Sequence, residues 1–450
     1  MSYKINYNLK GGSGNANIIW NNNDDIVLNN KIANQLTQRL GITYEYYKCN
    51  KSLDPFKCTK LDGTNDHKVD IWAHDDSVDL SWLNYGHSGF TNQGNTCFCN
   101  AYLQCILFTY PLIYHIKLSK PSSPDAFYNL VDKKFSNSNT PINIDRTELF
   151  LPTGSLQHDL HEYLTYFIDK MIVEHGNNYS TNNLILSKNI LDRFKIKPDK
   201  NDGTENVHNL IDRDLNLNTN QYYNVSLFQY YFTFIVTSTL GTKNIINDII
   251  SLSTKTEIYN MLSVEIYQNS LGSCLNNFFK KEQIIDDERK TLELNIENDN
   301  KQIQILNLPE ILIIHLKRLK YNQSGRIIND DIVSIPDIIE ADFIKQFMYT
   351  KDGETNDIAP YDLYAFAVHS GTVSGGHYYS YIKKPTFSNH TYNNTFKPGW
   401  YKANDSSFTK EDSDPITDKN KGYIYFYKKR NSSSEFNHNI GNKDITFKYN

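Results

Sequence analysis

The chain has 450 residues, 39% of them hydrophobic, with 46 Lys and Arg against 51 Asp and Glu for a formal net charge of -5. That suffices for one large core or two ordinary ones, and the interspersed charges exclude the basic face that a nucleic acid partner needs. No run approaches the roughly 18 consecutive apolar residues of a membrane span, and the opening MSYKINYNLKGG has no apolar signal region, so the chain reads as intracellular, in cytoplasm or nucleus, with no membrane partner.

Residues 1–84 are polar, with GGSGN near the start and NNNDD at 21–25, and read as a separate extension, partly ordered at best. From Gly89 the texture changes. TCFCNAYLQCILF puts Phe98, Ala101, Tyr102 and Cys105 on one helical stripe, which predicts a buried helix starting at or near Cys97. Gly94 permits a tight turn before it, and Asn95 or Thr96 is placed to cap it. A second helix is read in QHDLHEYLTYFIDKM, where Leu160, Tyr163, Leu164, Phe167, Ile168 and Met171 recur at helical spacing. Beyond 220 the pattern becomes β. NVSLFQYYFTFIVTSTL reads as a strand ending at a Gly-Thr turn, and ILIIHLKRL as a buried strand. YDLYAFAVH and HYYSYIKK read as two strands joined by SGTVSGG, and GYIYFYKKR as the last strand. Residues 431–450 form a polar tail.

The six cysteines, Cys49, Cys58, Cys97, Cys99, Cys105 and Cys274, are too few and too uneven for a disulfide framework. One of them has a chemical context. Cys97 at a helix N-terminus, with a Gly-flanked histidine far downstream, suggests nucleophilic catalysis, because the helix dipole and an imidazole both lower a thiol pKa. Taken alone, a cysteine at a helix start is more often an inert small hydrophobe.

The segment GFTNQGNTCFCNAYLQ resembles the cysteine box of the ubiquitin-specific proteases, G-L-x-N-L-G-N-T-C-Y-M-N-S-x-L-Q. YDLYAFAVHSGTVSGGHYYSYIKK is similar to their histidine box. The resemblance implies Cys97 as nucleophile, His377 as general base and Asn92 as the side-chain donor of the oxyanion hole. Gly375 and Gly376 would let the backbone pass close to a narrow cleft, and His369 reads as a structural histidine. The family's third member lies in GWYKANDSS, which implies Asn404 as the residue orienting His377, with Asp405 a second candidate. QHDLHEYL resembles Q-Q-D-A-H/Q-E-F-L and implies that Gln157, Asp159 and Glu162 grip the basic tail of ubiquitin.

Further likenesses in SLGSCLNNFFKKEQI and LPEILIIHLKRLKYN extend the resemblance over about residues 85–430, the expected catalytic domain. The implied fold is α+β and papain-like, with a helical thumb, a mixed palm and β fingers. The implied function is that of a deubiquitinating thiol protease that hydrolyses the isopeptide or peptide bond after ubiquitin's C-terminal glycine, with ubiquitin and ubiquitinated proteins as partners. No cofactor is expected. Many relatives bind zinc in the fingers through paired C-x-x-C motifs, and this chain has no C-x-x-C, so no metal ligands are assigned.

Overall fold

The computed structural model describes residues 80–119, 125–147, 149–150, 158–173, 227–244, 250–284, 296–322, 325–349, 358–372, 375–387 and 397–430, and short strands nearer each terminus. In the segment read as an extension, partly ordered at best, strands β1 (Ser2–Leu9), β2 (Gly12–Ile19), β3 (Tyr47–Asn50), β4 (Phe56–Lys60) and β5 (Val69–Trp72) form a sheet of order β2-β1-β5-β4-β3. Their signal is a weak alternation, as in Tyr3, Ile5, Tyr7 and Leu9, embedded in polar residues.

Helices α1 (Cys97–Leu107), α2 (Tyr110–Ser119), α3 (Ala126–Lys134), α4 (Leu160–Val173) and α5 (Leu227–Phe232) supply most of one core. Every residue of α1 is buried, not only the stripe expected, because its polar residues Asn100 and Gln104 are buried too and donate side-chain hydrogen bonds to Asp405 and to the Ser88 carbonyl. The segment 227–232 is helix where a strand was expected. Phe228, Tyr231 and Phe232 share the i, i+3, i+4 face and are buried, and the aromatic residues' strand preference masked that period. Strand β6 (Phe234–Asn244) then runs through Gly241 and Thr242 instead of turning there, paired with β7 (Ile250–Tyr259) on one side. After β8 (Leu262–Val264) and α6 (Leu271–Phe279), β9 (Glu282–Ile284) and β10 (Ile296–Ile305) complete a four-stranded sheet of order β7-β6-β10-β9.

The larger sheet carries the site. It comprises β11 (Ile311–Leu316), β15 (Tyr361–Thr372), β16 (Gly375–Lys384), β18 (Gly399–Asn404), β19 (Ser407–Lys410) and β20 (Ile424–Lys429), in the order β19-β18-β16-β15-β20-β11-β8. The hairpin β12 (Leu319–Asn322) and β13 (Gly325–Ile328) stands apart, and β14 (Ile338–Ile339) pairs with β15. Short helices α7 (Ala341–Lys345) and α8 (Ile416–Asn420) link the strands. In the segment read as a tail, Phe447–Lys448 pairs with β17 (Thr386–Phe387). One face of the sheet packs on the helices through Ile313, Ala365, Ile382 and Phe426. The other closes a second core with α6, built from Leu312, Phe366, Tyr381 and Tyr425. The architecture is α+β, helices against a mostly antiparallel sheet, as expected.

Candidate active site

The chain enters the site through residues 89–96. Ile142 accepts from the Thr91 N–H at 3.0 Å and donates to the Gly89 carbonyl at 2.9 Å, which fixes the approach. Gly94 (φ 90°) and Asn95 (φ 53°) then adopt left-handed conformations, the region glycine tolerates best and asparagine next. The Asn92 carboxamide oxygen binds this turn from inside, accepting from Gly94 N at 3.1 Å and from Thr96 N and Oγ1 at 3.3 Å each. Thr96 occupies the N-cap position of α1 without a side-chain capping bond. Its hydroxyl accepts instead from Gln93 N at 3.0 Å. Thr96 therefore holds the N-cap position without capping through its side chain, which serves the turn instead.

Cys97 is the first residue of α1 and is 3% exposed. Burial pushes its thiol pKa up, the Tyr378 backbone N–H pulls it back, and the Asp405 carboxylate raises it again. The direction is opposite to the depressed pKa expected from the helix dipole and a neighbouring imidazole. The reason is local, since no hydrogen bond joins Cys97 to His377 in this resting geometry and desolvation outweighs the dipole. Cys99 and Cys105 are wholly buried, and their thiols are pushed up further by desolvation.

His377 lies on β16, and its Nε2 is 2.6 Å from Asn404 Oδ1. An amide oxygen can only accept, so Nε2 carries the proton and Nδ1 keeps the lone pair. Asn404 ends β18, and Asp405 turns the chain into β19 with φ 46°. The Asp405 carboxylate accepts from Asn92 Nδ2 at 2.9 Å and from Asn100 Nδ2 at 2.7 Å, and Oδ2 is 4.0 Å from His377 Nε2. The Phe90 N–H donates to the Asp405 carbonyl at 2.7 Å. A Cβ on Gly89 would fall 2.3 Å from the backbone of Asp405 and Ser406, so only glycine allows this approach. One turn of chain thus presents Asn404 to the imidazole and Asp405 to the amide of Asn92. Asn100 was missed in the sequence, although its spacing of three from Cys97 places it on the same side of α1.

The residues expected to grip a substrate tail are distributed differently. Gln157 lies outside the described residues. Asp159 precedes α4 and accepts from the His161 N–H at 2.8 Å, as an N-terminal cap does. The Tyr423 hydroxyl also reaches both its oxygens, at 2.9 and 2.8 Å. It is therefore held by the residue that leads into β20, and Tyr423 is a second residue that sequence reasoning overlooked. Glu162 stands exposed on the first turn of α4. Gly375 is exposed at the start of β16. A Cβ on Gly376 would meet His369 Nε2 at 2.2 Å, so what this glycine makes room for is the His369 ring, which also contacts Tyr378 at 4.6 Å. Among the described residues no group of three His, Cys, Asp or Glu is placed to hold a metal ion.

Residues 88–427 match the family model described as ubiquitin carboxyl-terminal hydrolase. The chain is 26% identical over 380 residues to ubiquitin carboxyl-terminal hydrolase 12 of Salmo salar, covering 77% of this chain and 91% of that protein. It is 26% identical over 386 residues to ubiquitin carboxyl-terminal hydrolase 8 of Saccharomyces cerevisiae, covering 76% and 70%. Among solved structures, a yeast SAGA DUB module matches with TM-score 0.56 and 20% identity over 89% of this chain and 83% of that one. The SAGA Ubp8/Sgf11/Sus1/Sgf73 DUB module bound to ubiquitin aldehyde matches with TM-score 0.53 and 20% identity, again over 89% and 83%. These two likenesses are of fold. The family match spans both the helix bearing Cys97 and the strands bearing His377 and Asn404, and the chain belongs to the ubiquitin carboxyl-terminal hydrolase family as a cysteine-type deubiquitinase.

Proposed function

We propose that the catalytic unit spans residues 85–430 and that Cys97 is its nucleophile, His377 its general base and Asn404 the residue that holds the imidazole. The substrate is the isopeptide or peptide bond after the last glycine of ubiquitin, on ubiquitinated proteins in the cytoplasm or nucleus. The 2.6 Å contact of His377 Nε2 with Asn404 Oδ1 carries the reading, because it leaves Nδ1 as the proton acceptor. Burial keeps the resting thiol protonated, so the thiolate forms once substrate has closed the cleft and Nδ1 takes the proton. The sulfur then attacks the glycine carbonyl carbon, and the π pair moves to oxygen. Asn92 has one amide N–H on Asp405 and a second for that oxyanion, a donor worth about 3 to 4 kcal/mol of barrier. Collapse expels the amine, which takes the proton from the imidazolium. Water, deprotonated at Nδ1, cleaves the resulting thioester and regenerates Cys97.

Glu162 and Asp159 are the carboxylates offered to a basic tail, and Gly375 borders the same cleft. A ubiquitin bearing a C-terminal electrophile tests the assignment. Labelling is expected on Cys97, lost in Cys97→Ala and kept in Cys99→Ala and Cys105→Ala. An adduct on another thiol overturns it.

A further inference from the structure

Two lysines are buried beside the site. Lys134, at the C-terminal end of α3, is 0% exposed, and Lys384, at the end of β16, is 1% exposed. They share one aromatic cage. The Lys134 ammonium lies 4.3 Å from the Phe408 ring centre, 4.9 Å from Phe108 and 5.6 Å from Phe90. Lys384 lies 4.9 Å from Tyr401 and 5.5 Å from both Phe108 and Phe408. Phe108 and Phe408 stack at 5.3 Å beneath both cations. No ion pair of Lys134 occurs among the described residues. Burial lowers the Lys134 pKa well below the ordinary value, helped by Lys384, and lowers that of Lys384 to about 7. Half-buried His87 beside them is lowered to about 4 by burial and then by Lys384.

Burying two amines is costly, and methionines would fill the same space. What the amines supply is donors. Gly86, Ser88 and Gly89 are buried in a segment that belongs to no strand, so its carbonyls need partners from side chains. Lys134 donates to the Ser88 carbonyl, and Lys384 donates to that of Tyr85 at 3.2 Å. The ring faces offset part of the desolvation of the charged amines.

The clamped segment leads straight to the catalytic turn. Next after Ser88, Gly89 lies flat on the Asp405–Ser406 backbone, and Phe90 N–H holds the Asp405 carbonyl. Phe408 faces Ala403 across the same β18–β19 hairpin that carries Asn404. Lys384 shares strand β16 with His377. We propose that Lys134 and Lys384 are positioning residues for the hydrolysis, clamping residues 85–88 so that the Asn404–Asp405 turn presents its two side chains correctly to His377 and Asn92. The inference rests on the assignment of His377 and Asn404 above.

The test compares Lys134→Met and Lys384→Met, which keep the bulk and lose the donor, with Lys134→Gln and Lys384→Gln, which keep an N–H. Turnover of a fluorogenic ubiquitin C-terminal amide is normalised to the Cys97 sites titrated by a ubiquitin electrophile. The Met variants are expected to lose about ten-fold or more in kcat with KM unchanged, as misplacement of reacting groups does. The Gln variants recover part of the loss. The 15N resonances of the His377 ring move in the Met variants, and the acidic limb of the pH profile shifts to lower pH, because a loosened turn stabilises the imidazolium less. A folded Met variant with kcat within two-fold of wild type, or equal losses for Met and Gln, overturns the proposal. Where a Met variant does not fold, Phe408→Leu removes the shared ring instead, and unmoved His377 resonances with normal kcat overturn it likewise. His377→Ala is run alongside. If it stays active, the assignment of the catalytic pair falls; if it is inactive while the lysine variants turn over normally, only the clamp falls.

Discussion

Replacing Asp405 tests how the turn divides its work. Its carboxylate accepts from both Asn92 and Asn100 and lies 4.0 Å from His377 Nε2. Two unit charges at that distance interact by about 1 kcal/mol in water and about 4 kcal/mol at an effective dielectric of 20. With the His377 side chain 40% exposed and that of Asp405 18% exposed, screening places the pair toward the lower figure, about 1 to 2 kcal/mol. Loss of the charge alone therefore lowers kcat/KM roughly five- to thirty-fold. Asp405→Ala also releases the Asn92 amide, whose full loss as an oxyanion donor costs roughly a hundred- to a thousand-fold. The expected result for Asp405→Ala lies between these limits, and Asn92→Ala sits at the upper one. The assay is kcat/KM on a fluorogenic ubiquitin amide for both single variants and the double variant. Because Asp405 acts partly through Asn92, the double variant should lose at least about 1 kcal/mol less than the sum of the singles. Full additivity refutes the anchoring role and leaves Asp405 acting on the imidazolium alone.

Three other outcomes follow from the geometry. Alkylation of Cys97 by iodoacetamide in the resting enzyme should accelerate with pH beyond neutrality, since a thiol pushed up by burial gains thiolate only as pH rises past its ordinary range; a rate already level from pH 5 to 7 contradicts this. Gly89→Ala places a methyl 2.3 Å from the Asp405 and Ser406 backbone, so Tm and kcat should fall together, by about 2 kcal/mol or more in stability, as read by thermal unfolding and turnover. Glu162→Arg should raise KM for ubiquitin substrates several-fold and leave Tm within a degree or two, because Glu162 is exposed; Asp159→Arg is a poorer probe, since it also strips the bonds from Tyr423 and His161.

The sequence was most informative where chemistry and local structure coincide. The glycine turn before Cys97, the paired strands around His377 and the Trp400–Asp405 segment were all legible, because each is a contiguous string whose residues serve one purpose. The cooperation between strings was not. Nothing local says that Asn100 reaches Asp405, that Tyr423 holds Asp159, or that Thr96 spends its hydroxyl on Gln93. These bonds join residues far apart in sequence or choose among several equivalent acceptors. The helix at 227–232 was misread because rings favour strands on average, and burial on one face overrode that preference. The raised thiol of Cys97 was misjudged for a similar reason, as the dipole is visible in the sequence and the desolvation is not.

The strand order of the large sheet also bears on how the protein is made. β20, which follows every other strand of this sheet in sequence, lies between β15 and β11, so the centre of the sheet is completed by the strand of the sheet that leaves the ribosome last. At roughly 5 to 20 residues per second, β11 and β15 emerge well before their common neighbour and wait with unpaired edges. The helix bearing Cys97 waits longer still for the turn at Asn404. A nascent chain therefore lacks the His377–Asn404 contact on which the proposed site depends until the turn at Asn404 has emerged and folded. Any product truncated before Ile424 carries two open strand edges, which a chaperone or a second copy of the chain would bind in place of β20.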